Sequence, residues 1–93
     1  MYAEKRGEKN MPLKLTWRIN GEKDIDLMVS DEQKIIETMQ ILSEREFLPK
    51  DEWEAVKYIK SIRMKKQVNV LLTYKEANIF SGDILELRVG EEL

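Results

Sequence analysis

The hydrophobic rhythm of the chain changes several times, and each change predicts an element. Leu13, Leu15, Trp17 and Ile19 alternate with Lys14, Thr16 and Arg18, which is the period of a strand with one buried face. Asn20-Gly21 follows at once, a pair that favours the positive φ angles of a tight type I′ hairpin turn. Ile25, Leu27 and Val29 then alternate with Asp24, Asp26 and Met28, so the reading predicts a hairpin ending near residue 30. The stretch 1–12 before it is polar, ends in Met11-Pro12, and reads as a flexible arm without fold content.

The period lengthens at Ser30. Ser30-Asp31-Glu32-Gln33 fits a capping box, and Asp31 and Glu32 suit the positive end of a helix dipole. Ile35, Ile36, Met39, Leu42 and Phe47 recur at helical spacing, and Pro49 cannot continue a helix, so a helix is expected over about 31 to 46. Between Lys50 and Ala55, Asp51 either caps a short helical turn carrying Trp53 or lies in an ordered loop. From Val56 a period of two returns, with Val56, Tyr58, Ile62 and Met64 on one side and Lys60 interrupting it. Met64 to Gln67 reads as a turn, and Val68, Val70 and Leu72 as its partner strand. Thr73 to Glu76 is a second capping-box pattern, opening one helical turn. Ser81-Gly82-Asp83 supplies another turn before a last strand, in which Leu85, Leu87 and Val89 alternate with Ile84, Glu86 and Arg88.

The predicted order is ββαββ(α)β, an α+β class in which one main helix covers one face of a mixed sheet of about five strands. Such a sheet closes when the last strand lies parallel beside the first. That topology is the β-grasp, or ubiquitin-like, arrangement. The expected organisation is an N-terminal arm over 1–12, a β-grasp domain over 13–90 and a short acidic tail over 91–93.

Composition limits the chemistry. Ninety-three residues make room for one small domain, and 42% hydrophobic residues supply a thin core. Eighteen acidic residues against sixteen basic give a net charge of -2, which argues against a general nucleic-acid binder and against intrinsic disorder. Histidine and cysteine are both absent, which removes Cys/His zinc sites, thiol nucleophiles, disulfides and histidine acid–base catalysis. No catalytic residue, cofactor or metal is therefore expected. Asp24 with Asp26, and Glu91 with Glu92, lack a third convergent ligand and read as solvated charges. Gly21 and Gly82 read as turn glycines, since no glycine-rich phosphate loop is present. The first ten residues lack the apolar core of a secretory signal, and no apolar run approaches the ~20 residues of a membrane span. The expectation is a cytoplasmic protein without membrane insertion.

The segment Leu72-Thr73-Tyr74-Lys75-Glu76-Ala77-Asn78-Ile79-Phe80-Ser81-Gly82-Asp83-Ile84-Leu85-Glu86-Leu87 resembles the closing block of the EsaB/YukD family. Those are small ubiquitin-like proteins associated with type VII secretion in Gram-positive bacteria. Ile79, Gly82, Asp83, Leu85 and Glu86 carry the match, and the resemblance extends over about residues 13–89. It implies a non-catalytic accessory or regulatory component of such a secretion system, binding a larger protein partner. Ubiquitin and the sulfur carriers of the fold act through a terminal Gly-Gly. This sequence reads Arg88-Val89-Gly90-Glu91-Glu92-Leu93, a departure that the EsaB/YukD proteins share and that argues against conjugation.

Lys57, Lys60, Arg63, Lys65 and Lys66 form the basic cluster, with no acidic residue from Lys57 through Tyr74. Lysines there either discourage edge-to-edge aggregation or dock an acidic partner; the lack of interleaved aromatics argues against nucleic acid. Trp17 reads as core and Tyr58 and Tyr74 as structural, whereas Trp53 is either a packing lid or a binding anchor. The candidate partner-binding residues are Trp53, Ile59, Lys60, Arg63, Lys65 and Lys66. Two other readings are a processed ubiquitin-like or sulfur-carrier modifier and a self-associating structural domain, a homo-oligomer.

Overall fold

The computed structural model describes residues 11–48 and 52–89. Its strands are β1 (Pro12–Ile19), β2 (Lys23–Ser30), β3 (Tyr58–Ser61), β4 (Lys66–Asn69) and β5 (Ile84–Leu87). One α-helix, α1 (Ile35–Glu44), and a 3₁₀ turn at Trp53–Ala55 complete the described elements. The strands form one sheet in the order β2-β1-β5-β3-β4. β1 pairs antiparallel with β2 and parallel with β5, while β3 pairs antiparallel with both β5 and β4. The last strand thus lies parallel beside the first, and the observed architecture is the expected α+β β-grasp.

The first strand begins earlier than the sequence reading placed it. Pro12 already pairs with Ser30, and Met11 exchanges two bonds with Asp31: its N–H donates to Asp31 Oδ1 at 3.0 Å and its carbonyl accepts from the Asp31 N–H at 2.9 Å. Residues 1–10 of the expected arm and the acidic tail lie outside the described residues. At the other end of β1, Asn20 and Gly21 both take positive φ, and the Glu22 N–H returns to the Ile19 carbonyl at 3.0 Å. The ladder resumes with Lys23 opposite Ile19, so Glu22 is an extra residue in the turn.

The helix is shorter than expected. Ser30 does not cap it: its hydroxyl accepts from the Glu32 N–H at 3.2 Å, two residues on, and α1 starts only at Ile35. The first helical amides are satisfied by tertiary partners instead. Ile35 N–H donates to Leu72 O and Ile36 N–H to Val70 O, each at 2.9 Å. At the far end, Glu46 takes φ 67°, its N–H donates to Ser43 O at 2.9 Å, and Phe47 N–H donates to Leu42 O at 2.8 Å. These two bonds are the Schellman pattern, and they end the helix before Pro49, which lies outside the described residues, as does Asp51. Ile35, Thr38, Met39 and Leu42 are the buried stripe, at the spacing of one helical face.

On β3 the observed face is opposite to the expected one. Ile59 and Ser61 point inward and Tyr58 and Lys60 outward, because a slip of one residue exchanges the two faces of a strand. Ser61 is buried because its hydroxyl has a partner inside, Asp83 Oδ2 at 2.6 Å. The β3–β4 turn is also shifted: it covers residues 62–65, with Lys65 at φ 59° and its N–H bonded to Ser61 O at 2.7 Å. The second capping box does form, as reciprocal bonds between Thr73 and Glu76 at 2.9 and 3.0 Å, but it opens only turns that end at Asn78, φ 61°. The core gathers Leu13, Leu15, Trp17 and Ile19 of β1, Leu85 and Leu87 of β5, the α1 stripe, Ile59, Val68, Val70, Tyr74 and Ile79.

Candidate protein-docking surface

One face of the sheet is committed to the core, so alternation sends the remaining side chains outward. The pairing registers align Asp24, Arg18, Glu86, Lys60 and Gln67 in a row across all five strands. Arg18 forks onto Asp24, with Nε donating to Oδ1 at 2.9 Å and Nη2 to Oδ2 at 3.2 Å. That hydrogen bond holds the Asp24 carboxyl below the usual carboxylate range and raises the Arg18 guanidinium in turn. Glu86 sits opposite both Arg18 and Lys60 and accepts from Arg88 Nη2 at 3.5 Å.

Beyond that row, an open cleft of about 480 Å³ is lined by Val56, Lys57, Tyr58, Lys60, Gln67, Glu86 and Arg88. Among the described lining residues Lys57, Lys60 and Arg88 carry positive charge and Glu86 negative, and Tyr58 is 53% exposed beside them. A smaller apolar pocket of about 120 Å³ adjoins it, lined by Ile36, Val56, Lys57, Asn69, Val70 and Leu71. Val56 and Lys57 line both, so the two form one surface that passes from the sheet face to Leu71, 61% exposed.

The predicted site residues divide into four groups. Lys60 lies in the cleft. Lys65 and Lys66 are exposed at the β3–β4 turn, at the opposite end of β3 from Lys57. Arg63 is exposed but occupied: its Nε lies 3.8 Å from Asp83 Oδ2, its Nη2 donates to the Asn78 carbonyl, and its guanidinium lies 4.7 Å over the Phe80 ring. It ties the β3–β4 turn to the segment before β5. Ile59, 1% exposed, and Trp53, 9% exposed, belong to the core and offer no docking contact, which corrects both assignments. Trp53 packs inward from the 3₁₀ turn, so of its two readings the packing one is observed.

Tyr58, read as structural, and Arg88 and Glu86, assigned no role, are the cleft residues that sequence reasoning missed. The signal was present in the alternation of β5 taken together with its place beside β3. Among the described residues, no three His, Cys, Asp or Glu side chains converge as a metal site, and no helix is long and apolar enough to cross a membrane.

No family model matches this chain, and no curated protein does. Solved structures do match. The chain is similar to a de novo designed protein based on ubiquitin, with a TM-score of 0.64 at 20% identity over 88% of this chain and 93% of that one. It is also similar to the C-terminal ubiquitin-like domain of mouse tubulin-specific chaperone e, with a TM-score of 0.67 at 15% identity over 97% and 98% of the two chains. At such identities the likeness speaks to fold. The described chain has a ubiquitin-like β-grasp fold.

Proposed function

We propose that this domain is a non-catalytic protein-interaction module that receives an acidic segment of a larger protein in the cleft of Lys57, Tyr58, Lys60 and Arg88. The observation that carries the reading is the pair Lys57 and Lys60 lining the cleft beside the exposed Tyr58, on a face the core does not use. The adjoining apolar pocket beside Leu71 suits an aliphatic anchor on the same segment. The likeness of the 72–87 block to the EsaB/YukD proteins supports the finer reading: a cytoplasmic accessory or regulatory component of a Gram-positive type VII secretion system.

The test compares two double charge reversals. Lys57→Glu with Lys60→Glu should weaken capture of a secretion-system component by about tenfold or more, whereas Lys65→Glu with Lys66→Glu should leave it within about twofold. All four side chains are exposed, so circular dichroism should match the unmodified protein for both variants, with a lowered melting temperature only for the cleft variant, whose Lys60→Glu faces Glu86 across the strands. Unchanged capture by the cleft variant would overturn the assigned surface. Specific capture of a partner outside the secretion machinery would overturn the finer assignment and leave the surface standing.

A further inference from the structure

β2 is the outer strand of the sheet, and among the described residues only β1 pairs with it. On β1 the even-numbered residues bond towards β5: Lys14 O accepts from Gly82, Thr16 N–H donates to Asp83 O, and Asn20 N–H donates to Leu87 O. The odd-numbered residues therefore bond to β2, a pattern that the Asp31 N–H to Met11 carbonyl bond continues. It follows that the backbone groups of Asp24, Asp26 and Met28 point away from β1 along the open edge. The inward side chains Ile25, Leu27 and Val29 are only partly buried, and the outward Met28 is 65% exposed. Charge is confined to one half of the strand, Lys23, Asp24 and Asp26, while Leu27 to Ser30 carry none.

From this we infer that β2 pairs antiparallel with β2 of a second copy of the chain, with Leu27 on the two-fold axis. Edge backbone must meet edge backbone, so the axis passes through a residue, and axes at Asp26 and Leu27 give the longest seams. An axis at Asp26 sets two like charges directly opposite, which is destabilising. An axis at Met28 shortens the seam. At Leu27, Asp26 lies opposite Met28 of the second copy, twice in the dimer. The inward row then matches Leu27 with itself and Ile25 with Val29, extending the apolar layer of each core into the other. The charged half of each strand meets the uncharged half of its mate, and Asp24 is already held by Arg18. A long open edge is a pairing template, and this one is self-complementary in a single register.

Met28 gives a test in which the register fixes opposite signs. Met28→Asp puts a like charge against Asp26 of the second copy, and Met28→Lys puts an opposite one there. Sedimentation equilibrium from about 10 μM to 1 mM covers the range in which small seams associate. The dimer dissociation constant should rise by about tenfold for Met28→Asp and fall by about tenfold for Met28→Lys, since each charge acts twice per dimer. Any other pattern overturns the proposal: a monomer throughout would leave the edge to some other strand, and weakening by both variants would mean unspecific apolar contact. The chain has no cysteine, so single cysteines read the register directly. Under mild oxidation Leu27→Cys should link two copies, and Ile25→Cys should link only when mixed with Val29→Cys. Linking of Leu27→Cys no faster than of the exposed Lys75→Cys would refute the register.

Discussion

Asp83 is a buried carboxylate around which three parts of the chain are fixed. It accepts from the Ser61 hydroxyl at 2.6 Å, from the Arg63 N–H at 3.0 Å and from its neighbour Ile84 N–H at 2.8 Å. A buried donor left without a partner costs more than the bond itself contributes, so truncation should be severe. Asp83→Ala is expected to lower stability by about 2–4 kcal/mol, and Asp83→Asn by clearly less, because the amide keeps one acceptor in place. Urea unfolding of both variants checks the ranking. The sequence placed Asp83 in a turn, correctly, but could not show that Ser61 turns inward to meet it. A serine among lysines reads as solvated until its partner, twenty-two residues away, is known. Arg63 of the basic cluster joins the same arrangement through its backbone N–H and its guanidinium.

Elements were legible where one face alone decides the pattern. β1, β2 and β5 alternate cleanly and were found within a residue or two, whereas the ends of α1 were not. Its start depends on the carbonyls of Val70 and Leu72, which no local motif announces, and its stop on a residue with unfavourable backbone geometry. Glu46 takes the left-handed position that glycine occupies at least cost. Glu46→Gly should therefore stabilise the domain by about 1 kcal/mol, a rise of roughly 4–8 °C in Tm by calorimetry. β3 was misread by one position, since four residues with a buried serine offer too little contrast to fix which face is which. That slip separates the expectation from the structure at both positions: Ile59, expected as a partner contact, is buried, and Tyr58, expected as structural, is exposed.

At the scale of the whole molecule, Tyr74 joins the segment before β5 to the helix. Its hydroxyl donates to Thr38 Oγ1 at 2.6 Å, and Thr38 donates on to Gln33 Oε1 at 2.8 Å. The indole N–H of Trp17 is buried beside the Tyr74 hydroxyl. Burial pushes the Tyr74 phenol far above its ordinary value, against the opposing pull of its hydrogen bond to Thr38. The folded state thus keeps a proton that the unfolded state releases near pH 10. The corresponding stability is present in full below about pH 10 and is lost as pH rises beyond it. Tyr74→Phe should cost about 1 kcal/mol at pH 7 through the lost bond, yet show a shallower fall in Tm above pH 10 than the unmodified protein. The candidate surface was legible to a similar degree as the core. Its lysines stood out in the sequence, but the cleft needs Arg88 and Glu86, brought beside Lys60 only when β5 enters between β1 and β3.

That insertion governs the order in which the molecule can be made. Until Ile84–Leu87 arrives, the β1–β2 and β3–β4 hairpins have no common neighbour, and each presents an open flank. The contacts that join them span most of the described chain, so the barrier to folding is one of loop closure across long sequence separations rather than of local propensity. Asn20 adds a latch on the same strand, its side-chain amide bonding the Val89 carbonyl at 3.1 Å and accepting the Val89 N–H at 2.8 Å. Seating β5 is therefore the step that joins the two hairpins, and the helix already bonded to Val70 and Leu72, into one sheet.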